Sequence, residues 1–229
     1  MSDIKLFTSG SKNIKNLFKT IAYKVRFARA NPNYFYPAGI WVFCGAQGSG
    51  KTLSAVKCLK QMLKQYPAAK VCSNIEIRGL DREVIPFTDY EQLSTLSNGV
   101  NGIIFLLDEI HVLWNSLESK DINISEMACF CQMRKDRRVI IGTSQVYGRI
   151  AKPIREQLQY IIDCKNYFNL IQVNKVLDPI ECVEKNGHLD AVCLANQIWF
   201  HSPDLYESYD TLFKVVKAKR EKKGGAARG

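Results

Sequence analysis

The feature that most limits the fold of this chain is a glycine-rich octapeptide that separates an apolar segment from a helical one. The octapeptide consists of Gly45, Ala46, Gln47, Gly48, Ser49, Gly50, Lys51 and Thr52. It matches in full the pattern of a phosphate-binding loop, which requires a strand before it and a helix after it. Residues 40–44 are apolar, as in a buried strand, and residues 50–65 carry apolar side chains at helical spacing. The sequence therefore predicts a strand, a phosphate-binding loop and a helix, in that order.

The residue types of this loop fit the binding of nucleotide phosphates. Glycines let the backbone wrap closely around phosphate groups, and the loop N–H groups with the helix N-terminus form a positive cradle. We expect Lys51 to reach the β- and γ-phosphates and Thr52 to offer its hydroxyl to Mg²⁺. ATP and Mg²⁺ are therefore the expected ligands.

Short apolar segments alternate with helical ones over most of the remaining chain. The predicted strands cover residues 40–44, 71–77, 83–87, 103–107 and 139–143, and the predicted helices cover residues 50–65 and 124–135. Strands of four to six residues separated by helices indicate an α/β fold with a mainly parallel sheet flanked by helices, as in P-loop NTPases. Beyond about residue 160 the pattern favours strands, which predicts a small β-rich C-terminal extension.

This pattern divides the chain into four expected parts. They are a basic amphipathic N-terminal helix with a linker over residues 1–38, an ATPase core with the β-rich extension over residues 39–203, a closing helix over residues 204–218 and a disordered basic tail over residues 219–229. Polar, glycine-containing composition is the reason for the last of these expectations.

A pair of carboxylates follows the apolar strand over residues 103–107. This strand delivers Asp108 to the edge of the sheet where ligands of open α/β folds bind, so we expect Asp108 to hold Mg²⁺ directly or through water. Glu109 can polarise an attacking water, which favours hydrolysis over phosphoryl transfer to another substrate. The alternative interpretation is that Glu109 only caps the following helix.

A third block of polar residues surrounds the strand predicted over residues 139–143. Gln145 follows this strand and is a candidate to sense the γ-phosphate or to position the attacking water. Arg134, Arg137 and Arg138 precede it, and one of them can act as an arginine finger on the nucleotide of a neighbouring subunit, with Arg134 the first candidate. The alternatives are a solvated basic loop or a contact with DNA.

The basic charge of the protein is concentrated at its two ends. The net charge is +10, and residues 1–38 and residues 214–229 each carry seven basic residues against one acidic residue. Basic arms of this kind indicate a nucleic acid or an anionic membrane surface as partner. Within residues 11–30, apolar side chains recur at helical spacing among lysines, so this helix either docks on its own domain or lies on a membrane or on DNA.

Other features of the sequence favour a reduced, cytoplasmic protein. The eight cysteines include one close pair, Cys129 and Cys131, which lacks the two-residue spacer of common zinc and redox motifs. Residues 1–20 do not have the pattern of a signal peptide, and no apolar run approaches the roughly 18 residues of a membrane-spanning helix. We expect a cytoplasmic location, with peripheral contact at the inner face of the cell membrane as a further option.

The three motifs together resemble those of the Zot-type assembly ATPases of filamentous phages, which are named after zonula occludens toxin. These ATPases belong to the wider FtsK–HerA class of DNA-pumping motors. The resemblance rests on residues 45–52, 107–111 and 134–145 with Ile154 and Arg155, runs from about residue 36 to residue 176, and continues in the aromatic segment 205–209.

This resemblance implies ATP hydrolysis by a ring, expected to be hexameric, that packages, assembles or exports phage or mobile-element DNA. It assigns phosphate and Mg²⁺ binding to Lys51 and Thr52, and it makes Asp108 and Glu109 the metal and water carboxylates. By the same comparison Gln145 is the sensor, and Arg134 is the candidate finger. Phage assembly ATPases of this type carry a membrane-spanning helix after the ATPase domain, and this sequence shows no such apolar run. We therefore expect that a partner supplies the membrane anchor, that the basic N-terminal helix does so weakly, or that the protein is a soluble packaging or conjugation motor.

Two other functions remain compatible with these residues. The first is a small-molecule or nucleoside kinase, although the sequence shows no arginine-rich lid for a second substrate. The second is a nucleotide-gated switch or binding protein in which hydrolysis is slow and incidental. Replacement of Glu109 by Gln distinguishes the motor from the switch.

Overall fold

The computed structural model describes residues 11–117, 122, 124–185 and 187–209. The chain forms two compact units, Met1–Tyr34 and Phe35–Gly229. The first unit contains helix α1, Ser11–Ala30, which ends where Asn31 N–H donates to the carbonyl of Phe27 at 2.9 Å. The linker was expected to reach residue 38, but Phe35 is buried and donates its N–H to the carbonyl of Val100, so it belongs to the second unit.

The second unit contains ten strands and six helices among its described residues. The strands are β1 (Gly39–Cys44), β2 (Lys70–Ser73), β3 (Val84–Pro86), β4 (Ile103–Leu107), β5 (Arg138–Ser144), β6 (Leu158–Tyr167), β7 (Ile171–Leu177), β8 (Val183–Lys185), β9 (His188–Asp190) and β10 (Cys193–Phe200). The helices are α2 (Lys51–Gln65), α3 (Gln92–Thr95), α4 (Ile110–Leu113), α5 (Ile124–Asp136), α6 (Lys152–Arg155) and α7 (Pro203–Tyr206).

Eight of these strands form one sheet in the order β10-β7-β6-β1-β5-β4-β2-β3. Strand β1 lies at its centre and pairs in parallel with β5 on one side and with β6 on the other. The pairs β4–β5, β2–β4 and β2–β3 are also parallel. The predicted mainly parallel α/β sheet is therefore confirmed.

The apolar strands are buried because helices cover both faces of the sheet. Every residue of β4 and β5 is buried, which is typical of parallel strands between two helical layers. Helix α2 packs on β1, β4 and β5, and α5 packs on β1 and β5. Two apolar clusters result, one that includes Leu59 of α2 and one that includes Met133 of α5.

The β-rich extension continues the central sheet rather than forming a separate domain. Strands β6, β7 and β10 pair antiparallel, and β8 with β9 forms a small separate hairpin. The turn between β6 and β7 places Phe168 and Asn169 at φ values of 57° and 54°. These two left-handed residues form a tight turn, so β7 pairs antiparallel with β6. The two strands thereby contact the phosphate-binding loop.

The closing helix expected over residues 204–218 is wrong in its described part. Helix α7 ends at Tyr206, and Tyr209 forms an antiparallel bridge with Ile77. The physical reason is a tertiary contact, since Arg78 N–H donates to the carbonyl of Ser208 at 2.7 Å and draws the chain into extended form. Residues 210–218 and the expected tail over residues 219–229 lie outside the described residues.

Among the described residues, no helix is both long and apolar enough to span a bilayer. All eight cysteines are free thiols. Burial raises the pKa of Cys58 and of Cys72 to about 12, so these thiols stay protonated as small core side chains.

Candidate active site

The phosphate-binding loop connects β1 to α2, as the motif requires. Three of its glycines, Gly45, Gly48 and Gly50, have φ values of 148°, 79° and 79°. A Cβ atom at Gly50 would lie 2.1 Å from Gln172 Oε1, and one at Gly45 would lie 2.7 Å from the carbonyl oxygen of Cys164. Gly45 and Gly50 are therefore needed both for backbone conformation and for space.

The first turn of α2 has the features of an anion-binding site. Its N-cap residue, Gly50, supplies no side-chain cap, and the first turn carries no acidic residue. Lys51 is 7% exposed, and its Nζ donates to the carbonyl of Ala46 at 3.0 Å. Ser49 Oγ is buried and has no hydrogen-bond partner among the described residues. A phosphate ligand fits this site, because it would accept hydrogen bonds from the free N–H groups of the first turn, from Lys51 and from the Ser49 hydroxyl.

Asp108 lies at the carboxyl end of β4, beside the loop. Its Oδ1 accepts hydrogen bonds from Thr52 Oγ1 at 2.9 Å and from Thr143 Oγ1 at 2.7 Å. Asn74 fixes its backbone by a reciprocal pair of bonds, accepting from the N–H at 2.7 Å and donating to the carbonyl at 2.9 Å. The structure thus brings together the carboxylate and the hydroxyl that the sequence predicts as Mg²⁺ ligands, and oxygen donors of this kind fit that ion.

Glu109 stands in a strained position between Asp108 and α4. Its φ is 54°, and its N–H donates to Thr143 Oγ1 at 2.9 Å, which holds the turn. Gln145 Nε2 donates to Glu109 Oε1 at 3.2 Å. Glu109 Oε2 lies 3.1 Å from His111 Nδ1 but makes no well-aligned hydrogen bond among the described residues. This oxygen is therefore buried beside His111 with its hydrogen-bonding capacity unsatisfied by the described part of the chain.

The structure places His111 against the predicted catalytic carboxylate. Its Nδ1 also lies 3.3 Å from Ser144 Oγ, whose hydroxyl donates to the carbonyl of Val146. Burial lowers the pKa of His111, while the nearby charge of Glu109 acts in the opposite direction. No sequence signal marked this residue, since a single histidine has no ligand spacing.

The extension braces the loop through side chains that the sequence analysis missed. Gln172 on β7 is fully buried and donates from Nε2 to the carbonyl of Ser49 at 2.9 Å and to Asn174 Oδ1 at 2.9 Å. Asn166 at the end of β6 donates to the carbonyl of Gly48 at 3.2 Å. Two strands of the extension therefore fix the backbone of the loop from its outer side.

The segment after β10 supplies an aromatic wall to the same cleft. Tyr206 donates its hydroxyl to the carbonyl of Asn169 at 3.0 Å and also contacts His201 Nδ1. His201 Nε2 lies 3.2 Å from Gln172 Oε1, and burial lowers the pKa of His201. Burial likewise raises the pKa of Tyr209 to about 12. This wall is aromatic, which suits a nucleobase.

These elements enclose an open cleft of about 630 Å³, within the range of small-molecule and cofactor sites. Its lining residues are Gln47, Gly48, Gly50, Lys51, Thr52, Leu53, Ile75, Asp108, Glu109, Gln145, Asn166, Asn169, His201, Tyr206 and Tyr209. Phe35 is buried in the core, and the cleft takes its aromatics from the C-terminal side.

The candidate arginines lie elsewhere on the surface and in the core. Arg134 is exposed near the end of α5, and among the described residues the cleft is lined by no arginine. Arg138 is buried and donates to Asp136 Oδ2 at 3.1 Å and to the carbonyl of Ser94 at 2.7 Å. Arg138 therefore has a structural role, whereas Arg134 is exposed.

Comparison with solved structures places this arrangement in a known fold. The N-terminal domain of zonular occludens toxin from Neisseria meningitidis superposes with a TM-score of 0.55 at 15% identity, over 76% of this chain and 99% of that chain. This superposition shows that the chain has the Zot-type P-loop NTPase fold.

Two weaker superpositions are with viral packaging ATPases, and no conclusion rests on them. The genome packaging NTPase B204 from Sulfolobus turreted icosahedral virus 2, in complex with ATP-gammaS, gives a TM-score of 0.48 at 12% identity, over 73% of this chain and 98% of that chain. The DNA-packaging ATPase B204 from Sulfolobus turreted icosahedral virus gives 0.47 at 13% identity, over 73% and 98%. The sequence matches no protein-family model and no curated protein.

Proposed function

We propose that this chain of Zot-type P-loop NTPase fold is a magnesium-dependent ATPase. The observation that carries the proposal is the position of Glu109, whose Oε1 accepts a hydrogen bond from Gln145 and whose Oε2 has no well-aligned hydrogen bond among the described residues. This carboxylate lines the same cleft as Lys51, Thr52 and Asp108. A base at this edge of a phosphate-binding cleft is suited to activate water.

Phosphate binding falls to Lys51 and the first N–H groups of α2. The ammonium of Lys51 already sits over the loop, held by the carbonyl of Ala46, and a phosphate oxygen would replace that carbonyl as its partner. Thr52 and Asp108 would hold Mg²⁺, which when bound neutralises charge on the β- and γ-phosphate oxygens. Ser49 Oγ would gain the partner that it lacks among the described residues.

Water activation falls to Glu109 and Gln145. Gln145 orients Glu109 through Oε1, and we expect a water beside the bound γ-phosphate to give its proton to this carboxylate. His111 contacts Oε2, and its burial disfavours the charged imidazolium. A neutral His111 leaves the carboxylate basic, so hydrolysis is favoured over phosphoryl transfer to a second substrate.

We further propose that the ATPase works on DNA as a ring of subunits. Support comes from the basic ends of the chain and from the likeness to the toxin domain. The described part of the cleft also lacks an arginine, while exposed Arg134 is free of the core contacts that hold Arg138. A neighbouring subunit would supply the missing cation, as arginine fingers do.

The test is the rate of phosphate release from ATP with and without single- and double-stranded DNA, with molar mass recorded alongside. We expect Mg²⁺-dependent turnover by an oligomer, stimulated by DNA, with DNA affinity that falls steeply as salt rises. Lys51→Ala should abolish turnover, and Lys64→Ala, at an exposed position of the same helix, should not.

Each contrary result identifies a different function. A phosphorylated product in place of free phosphate would establish a kinase. Slow turnover that does not change with Glu109→Gln would establish a nucleotide switch. Rapid turnover by a monomer, unchanged by either form of DNA, would exclude the proposed DNA motor but would be consistent with the proposed ATPase activity.

A further inference from the structure

Helix α1 carries an exposed apolar face. Leu17, Phe18, Ile21 and Val25 are 55%, 67%, 49% and 45% exposed. At 3.6 residues per turn these four positions fall within an arc of about 100°. Four large apolar side chains on one side of a surface helix are costly to leave in water, so this face indicates a binding surface.

The rest of α1 is cationic. Between Ser11 and Ala30 the sequence has six basic residues and no acidic residue. Arg29 borders the apolar face on one side, Lys24 borders it on the other, and both are exposed. Long basic side chains at the border of an apolar face can reach anionic groups while the apolar residues are buried below them.

The geometry points to α1 as a peripheral membrane-docking helix that lies flat on an anionic lipid surface. Leu17, Phe18, Ile21 and Val25 enter the boundary between headgroups and acyl chains, and the lysines and arginines contact lipid phosphates. This surface shares no residue with the nucleotide cleft, and its function does not depend on ATP hydrolysis.

Two other occupants fit the same helix less well. DNA would satisfy the basic residues but would leave the four apolar side chains in water, because base-independent binding is made through phosphates. A second copy of α1 would bury the apolar face but would bring Lys24 and Arg29 against the same cations, with no acidic residue in α1 to pair with them. Unlike these two, an anionic lipid surface satisfies both faces together.

The experiment is flotation of the full chain with vesicles of phosphatidylcholine alone and of phosphatidylcholine with about one third phosphatidylglycerol. We expect binding to the anionic vesicles and at least about tenfold weaker binding to the neutral ones. The triple variant Leu17→Ser, Phe18→Ser and Ile21→Ser keeps every charge and should lose about tenfold or more in affinity for anionic vesicles. Tyr23→Ser is the matched control, because Tyr23 is 66% exposed on the opposite side of the helix.

The outcomes separate this inference from the ATPase. Unchanged flotation of the triple variant, or an equal loss in Tyr23→Ser, would overturn membrane docking. If duplex DNA displaces the chain from vesicles, the helix is a DNA-binding element instead. If the chain shifts to a larger mass without vesicles and the triple variant abolishes that shift, the helix is a self-association element instead. Thermal unfolding of each variant checks that the second unit is intact, and Lys51→Ala should float like the unchanged chain.

Discussion

Glu109 combines a left-handed backbone with a partly unsatisfied carboxylate, two properties that a structural residue rarely needs together. Its φ of 54° is held by Thr143, which also donates to Asp108. A non-glycine residue in this region costs on the order of 1–3 kcal/mol. The surrounding hydrogen bonds keep the residue there, which aims its side chain at the cleft and ties its position to that of Asp108.

Replacement of Glu109 by Gln should separate binding from turnover. Gln keeps the shape and the hydrogen bond to Gln145 but cannot accept a proton, so we expect turnover to fall by about 10²-fold or more with ATP affinity retained. Phosphate release and equilibrium binding of a fluorescent ATP analogue measure the two effects. Glu91→Gln, at an exposed position, is the control and should leave both unchanged.

Gly50 offers a test of the loop geometry. Gly50→Ala places a Cβ 2.1 Å from Gln172 Oε1 at a φ of 79°, so strain and a clash act together. We expect ATP binding to be lost and the free energy of unfolding to fall by about 1–3 kcal/mol more than in a control. Gly79→Ala is that control, because its φ is 68° and no atom lies within 4 Å of the added Cβ. Equal losses in the two variants in denaturant unfolding would show that the clash is relieved.

At the scale of elements, the hairpin of β6 and β7 determines how rigid the phosphate-binding loop is. Gln172 and Asn166 bind the carbonyls of Ser49 and Gly48. Gln172 also contacts His201, so the segment that carries the aromatic wall is linked to the loop through one buried amide. We infer that the hairpin holds the loop open for phosphate before ATP arrives.

Removal of that amide should weaken nucleotide binding without touching any residue of the phosphate-binding motif. Gln172→Ala leaves the carbonyl of Ser49 and Asn174 Oδ1 without this donor, at a cost of about 1–3 kcal/mol in the free energy of unfolding. ATP affinity should fall about tenfold or more as the loop loosens. Gln197→Ala is the matched control, because this exposed amide lies on β10. Isothermal titration with ATP measures the difference, and equal affinities would refute the bracing role.

The elements nearest the motif could be predicted because each has a local signature. A buried parallel strand gives a continuous apolar run, so β4 was predicted with its observed bounds and Asp108 at its end. The brace from β7 could not be predicted, because polar side chains that alternate with apolar ones normally face water. Gln172 instead faces the loop and Asn174 bonds Ser54 of α2, and both placements depend on the hairpin turn far along the chain.

The closing helix expected over residues 204–218 is wrong in its described part, residues 204–209, for a similar reason. Residues 204–218 have helical periodicity, but the bridge between Tyr209 and Ile77 and the bond from Arg78 to Ser208 override it. A contact between segments about 130 residues apart leaves no trace in a local pattern. The positions of Tyr206 and Tyr209 in the lining of the cleft were therefore not predicted.

At the scale of the whole molecule, the role of Arg134 can be tested by mixing subunits. Arg134→Ala should be inactive alone because it lacks the arginine finger for the neighbouring site. Glu109→Gln should be inactive alone because it lacks the base of its own site. A one-to-one mixture should regain about a quarter of the original turnover, since half of the sites keep Glu109 and half of those have an intact neighbour. A mixture of Arg134→Ala with the double variant should stay inactive. Full turnover by Arg134→Ala alone, or no recovery in the mixture, would exclude it as the finger.

The central place of β1 has a consequence for how the molecule is made. Strand β1 is one of the first segments of the second unit to leave the ribosome, yet its partners β5 and β6 begin about 100 and 120 residues later. Contacts this distant in sequence close slowly, and unpaired apolar strands expose the nascent chain to misfolding. The loop of residues 45–52 is therefore shaped late, after Gln172 has been synthesised. A chain interrupted before β7 would contain every residue of the motif and would lack the hydrogen bonds that set its backbone.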